Sequence, residues 1–137
     1  MRKLPTDRDV LRCIYEMYAA DYPGPLKPDG HGENDPYLPI NVHHVATQLK
    51  CKPELVFGRL YYHLDAKYRY KQDNGAIVGL FHLNFLTRGN CVHFPYLSSI
   101  LATQDDEHRR ETWALGVAII ALALSVAAIV AQVITAK

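Results

Sequence analysis

Three groups of side chains in this sequence are of kinds that do chemistry: histidines and cysteines, paired acids, and a run of cations. His82, Cys91 and His93 would converge if the chain folded back as a hairpin between them. Zinc sites usually declare themselves by closely spaced ligand pairs such as C-x-x-C or H-x-x-x-H, and the chain has neither. His43 and His44 are adjacent on a predicted helix and point in different directions, which suits a single ion poorly. No metal and no cofactor is expected. Asp105-Asp106 is a carboxylate pair, but it lies in a charged linker where solvation is the ordinary role. There is no nucleophile elbow, no P-loop and no glycine-rich phosphate loop, so an enzyme is not expected.

The cations are more informative. From Lys50 to Lys71, six basic residues (Lys50, Lys52, Arg59, Lys67, Arg69, Lys71) stand against two acidic ones, Glu54 and Asp65. The whole chain has 15 Lys and Arg against 14 Asp and Glu, and Lys137 alone makes the difference. Attraction for an anionic partner must therefore be local. Tyr61, Tyr62, Tyr68 and Tyr70 fall in the same stretch, and tyrosine is common in interfaces.

The elements that must position these residues can be placed from periodicity and caps. Thr6 with Asp9 suits a capping box, and Leu11, Ile14, Tyr15 and Tyr18 form the stripe of a first helix. That helix must stop near Asp21, because Pro23-Gly24-Pro25 follows. Between Pro23 and Pro39, eight of 17 residues are Gly or Pro, which predicts an irregular loop. Asn41 is the expected N-cap of a second helix with Val42, Val45, Ala46 and Leu49 on its buried face. After a tight break at Lys50-Cys51-Lys52, Pro53 suits the first turn of a third helix. Val56, Phe57, Leu60, Tyr61 and Leu64 form its expected buried stripe, with Glu54, Arg59, Tyr62, His63 and Ala66 opposite. Asn74-Gly75 between two β-prone runs predicts a hairpin over 68–81. Residues 90–96 predict a short strand demoted by Pro95, and Ser98 and Ser99 are the expected cap of a last helix. Cys13 and Cys51 read as small packing residues; three widely spaced cysteines suggest no disulfide and a reducing compartment.

Helix, irregular segment, helix, tight turn, helix, hairpin is an order that resembles the winged helix-turn-helix superfamily over roughly residues 7–86. The resemblance is carried by Val45-Ala46, Leu49, Cys51, Pro53-Glu54, Val56, Leu60, Leu64, Tyr68 and Tyr70. Ile40-Asn41-Val42 would be the short first strand and Tyr68 to Phe81 the wing; Lys50 stands where a glycine is usual. The resemblance implies a third helix laid in the DNA major groove and a wing on the backbone. Arg59 would then reach a base edge, Tyr62 and His63 would add hydrogen bonds, and Arg69 and Lys71 would hold phosphates, with Lys52 and Lys67 on the same surface. Winged helices also serve as protein-interaction modules, so fold alone does not decide.

Residues 113–134 contain no charge, and only Ser125 and Gln132 are clearly polar. At ~1.5 Å per residue this stretch matches a ~30 Å hydrocarbon core. His108, Arg109 and Arg110 with Trp113 flank its N-terminal side, which predicts a cytoplasmic N-terminal domain. No apolar core follows Met1-Arg2-Lys3, so no signal peptide is expected, and the short segment after the apolar stretch predicts a tail-anchored arrangement. Ala123, Ala127 and Ala131 make a ridge of small residues that favours a homodimer within the bilayer.

The expected class is α+β: a winged helix-turn-helix-like domain (1–103), a charged linker (104–112) and a single transmembrane helix (113–134). The expected function is a single-pass membrane protein binding DNA as a tethered regulator. Alternatives are a membrane-anchored module docking a protein partner, and a small effector that disturbs the bilayer and is held in check by its soluble domain.

Overall fold

A computed structural model describes residues 4–22, 35–84 and 89–136. The first helix, α1 (Asp7–Tyr18), starts at the expected capping box: Asp9 N donates to Thr6 Oγ1 at 3.2 Å, and Thr6 N donates to Asp9 Oδ2 at 2.8 Å. Val10, Leu11 and Ile14 are buried, and a single 3-10 turn (Ala19–Asp21) ends the segment where the prolines require it. Tyr15, expected in the stripe, is instead exposed at the edge and stacks on Phe94 at 5.7 Å. Residues 23–34 of the expected loop lie outside the described residues.

The first strand, β1 (Tyr37–Pro39), precedes the expected Ile40–Val42. The reason is the cap: Asn41 Oδ1 accepts from His43 N and His44 N, which commits Val42 to α2 (Val42–Gln48). This helix ends with Lys50 at φ 53°, where Cys51 N donates to Ala46 O and Lys50 N to Thr47 O. That double bond pattern is the Schellman closure, which normally places glycine at the left-handed position.

Pro53 opens the third helix, built as α3 (Pro53–Gly58), a π-helical segment (Arg59–Asp65) and α4 (Ala66–Tyr68). Val56, Leu60 and Leu64 are fully buried, as the stripe predicts. Two positions depart from it. Tyr61 is turned outward and Asp65 is buried. Bonding i→i+5 widens the turn, so both the fourth and fifth residues after Leu60 reach the core side.

The expected wing over 68–81 divides in two. β2 (Tyr70–Lys71) and β3 (Ile77–Val78) form a separate hairpin around Gly75, whose φ of 86° only glycine adopts easily. β4 (Phe81–His82) instead joins β5 (Cys91–His93) and β1 in an antiparallel sheet of order β1-β5-β4. Its register pairs Leu38 with Val92 and Phe81 with Val92, so apolar side chains meet on the core face.

The last helix, α5 (Phe94–Thr135), begins before the expected serine cap. His93 Nδ1 accepts from Tyr96 N at 3.2 Å and caps it; Pro95 lies in the first turn, where a missing N–H is tolerated. Ser98 Oγ bonds back to Phe94 O instead. Phe94, Leu97, Ile100 and Leu101 complete the core.

The chain forms two compact units, Met1–Ala102 and Thr103–Lys137. In the second, Asp106 pairs with Arg109 at 2.6 Å and Arg110 at 3.0 Å. Beyond these charges, Trp113 to Ile134 leave their apolar side chains exposed. Among the described residues, this is the one helix long and apolar enough to cross a membrane, with mean hydropathy 2.7 in its most apolar window.

Candidate interaction surface on the third helix

The third helix is fixed to its surroundings by two carboxylates. Asp65, 4% exposed, accepts Leu80 N (2.8 Å) and Phe81 N (3.1 Å) on Oδ1 and the Arg69 guanidinium on Oδ2. It thereby ties the end of the π-helical segment to β4. Gly79 lies against this clamp: a Cβ there would meet His82 Nε2 at 2.9 Å and Asp65 Oδ1 at 3.1 Å. Asp7, at the start of α1, takes Arg59 Nη1 at 3.1 Å and His63 Nε2 at 2.9 Å. Arg59 Nη2 also donates to Pro5 O. Arg59 and His63 are thus drawn to one flank of the helix, against the N-terminal segment.

Of the seven residues expected to contact nucleic acid, three are therefore engaged within the domain: Arg59, His63 and Arg69. Lys52, Lys67 and Lys71 are exposed and form no ion pair among the described residues; Lys67 Nζ sits 5.2 Å from the Tyr68 ring centroid. Tyr62 is 73% exposed. Ala123, Ala127 and Ala131 are exposed on α5 in the second unit.

What periodicity missed is an aromatic ridge. Phe57 packs edge-on against Phe81 in the core at 6.0 Å and stacks on Tyr61 at 5.5 Å, and Tyr61 meets Tyr62 edge-on at 5.0 Å. The wide turn brings positions four and five residues beyond Phe57 to one face. Leu55, on the same helix, is 45% exposed, and a Cβ added at Gly58 would meet nothing within 4 Å. A helical glycine with open space beside it costs ~0.5–1 kcal/mol relative to alanine and leaves room for close approach from outside.

A second aromatic group surrounds the sheet. The Tyr37 ring is edge-on to His82 at 4.9 Å and to His93 at 5.1 Å, and His93 also meets Tyr96. Burial holds both imidazoles below their usual range; the Arg69 charge adds to this for His82, and His82 adds to it for His93. His82 and Cys91 are paired across β4 and β5, yet among the described residues no three metal-ligating side chains gather. Cys13 is half-buried with Sγ 3.7 Å from Met17 Sδ, and burial raises its thiol. That environment suits packing rather than nucleophilic work.

Comparison with known protein families, with curated proteins and with solved structures gives no match to this chain.

Proposed function

We propose that this chain is a membrane-anchored interaction protein, whose winged-helix-like domain docks a protein partner on the outward face of the third helix. The supporting observation is the division of that face. Arg59 and His63, two of the expected DNA contacts, pair with Asp7, their side chains 32% and 50% exposed, while Leu55, Tyr61 and Tyr62 stand exposed at 45%, 37% and 73% with no charge to satisfy. Exposed tyrosines on a rigid helix are common anchors of a protein interface, and an exposed leucine adds apolar area to bury. A winged-helix kinship is favoured by the element order and by the β4–β5 hairpin pairing with β1 after the third helix. The apolar helix supplies the anchor, with the domain on the cytoplasmic side.

DNA binding is the second function, favoured by Lys52, Lys67 and Lys71, which carry no ion pair among the described residues. Titrating the full-length protein in detergent micelles with duplex DNA at two salt concentrations separates the two. Docking of a protein predicts no duplex binding at low salt. Binding that falls steeply with added salt, and that weakens in Lys67→Ala and Lys71→Ala, establishes DNA as the partner.

A further inference from the structure

Beside the third helix, Leu4, Pro5, Ala46, Leu49, Cys51 and Leu55 line a groove of about 730 Å³. Its charged lining consists of Lys50 and Lys52 alone, both exposed and neither ion-paired among the described residues. Apolar walls with Thr47 and two lysines, and no acidic side chain in the lining, point to the complementary ligand: a segment carrying acidic side chains around an apolar anchor. Nucleic acid offers the charge but no aliphatic side chain long enough to fill the space between Leu4, Leu49 and Leu55. Leu55 belongs both to this groove and to the exposed face of the third helix, so one bound segment can cover the two.

Lys50 adds an independent reason. It occupies the left-handed position that closes α2, at φ 53°, where glycine is the residue of least strain. The chain holds a strained lysine there, with its ammonium in solvent at the groove's edge. Its cationic side chain gives that strain a use.

We infer that the groove between the N-terminal segment, the end of α2 and the start of α3 binds an acidic, leucine- or phenylalanine-bearing peptide segment of a partner protein. This rests on the proposed protein-docking function and specifies its ligand.

The test is selection of a phage-displayed library of random 12-residue peptides on the full-length protein in lipid nanodiscs. The expected survivors combine Asp or Glu with Leu, Ile or Phe. Affinity of the best peptide should fall about tenfold or more in the double variant Lys50→Glu/Lys52→Glu, and stay unchanged in Lys67→Glu/Lys71→Glu. Lys50→Gly should raise the melting midpoint while weakening the peptide, which separates a folding defect from loss of the contact. Survivors without acidic residues, survivors indifferent to the Lys50 and Lys52 reversal, or an empty selection would each overturn the acidic-peptide assignment. If contacts at Tyr62 with a partner persist through such a result, protein docking stands and only the ligand class falls. If a 20-base-pair duplex displaces the peptides, both fall.

Discussion

Replacing Asp65 should be among the most damaging single changes in the domain, and its size can be worked from the contacts. The carboxylate satisfies two backbone N–H groups, of Leu80 and Phe81, both on fully buried residues. In Asp65→Ala each is left without its acceptor, at ~1–3 kcal/mol per buried donor. The Arg69 side chain is 41% exposed, so water receives the freed guanidinium and little is added for it. Removing a desolvated carboxylate returns part of the loss. The net expectation is about 3–4 kcal/mol, a large share of the ~5–15 kcal/mol of a typical domain. Asp65→Asn keeps one oxygen for the same two donors and should cost about 1–2 kcal/mol, chiefly the charge-assisted part. Arg69→Ala should fall below Asp65→Ala. Urea unfolding of the full-length protein in micelles, followed by the tyrosine near-ultraviolet signal, measures all three. Asp65→Ala within 1 kcal/mol of the parent, or Arg69→Ala exceeding it, would refute the clamp.

Acid should destabilise the domain. His82 and His93 have folded-state pKa values below 6.5, so between those values and 6.5 the unfolded chain binds more protons; stability is full above 6.5 and falls as pH drops through that window. The groups facing them are Arg69, Asp65 and Tyr37 for His82, and His82, Tyr37 and Tyr96 for His93. A urea midpoint lower at pH 5.5 than at 7.5, with the difference reduced in His93→Gln, is the expected result. The two glycines should respond in opposite senses: Gly79→Ala presses on His82 and Asp65 and should cost ~1–3 kcal/mol. Gly58→Ala meets open space and should gain ~0.5–1 kcal/mol in the same unfolding assay. The full chain should resist carbonate extraction from membranes, and Ile120→Lys with Leu124→Lys should release it, since each lysine at a helix centre costs ~2.5–3.5 kcal/mol.

The sequence was legible where local signals and tertiary packing agree. The Thr6–Asp9 box, the Asn41 cap, Pro53 at a first turn and Asn74-Gly75 at a hairpin act within a few residues and needed no knowledge of the fold. Val56, Leu60 and Leu64 were legible because their spacing tolerates either a 3.6-residue turn or a wider one. Tyr61 and Asp65 do not share that tolerance, and nothing local announces a π-helical turn, so the aromatic ridge and the buried clamp were hidden. The partition of residues 68–82 between two hairpins was hidden for another reason. Which strand pairs with β1 depends on residues far apart in sequence, such as Leu38 and Val92. The candidate site was half legible: the residue types of the third helix pointed to a binding face. That Asp7 holds Arg59 and His63 could not be read from spacing, since Asp7 lies 56 positions from His63, whereas Asp65 and Arg69 stand at the i,i+4 spacing of a helical ion pair.

The proposed docking face is tested most directly by placing a photo-crosslinking amino acid at Tyr62, at Leu55 and, as a control, at Asp73 on the separate hairpin, in the full-length protein in cells. A discrete protein adduct of one mass is expected from Tyr62 and Leu55 and none from Asp73, insensitive to nuclease. Adducts that vanish with nuclease, or equal labelling from all three positions, would contradict it.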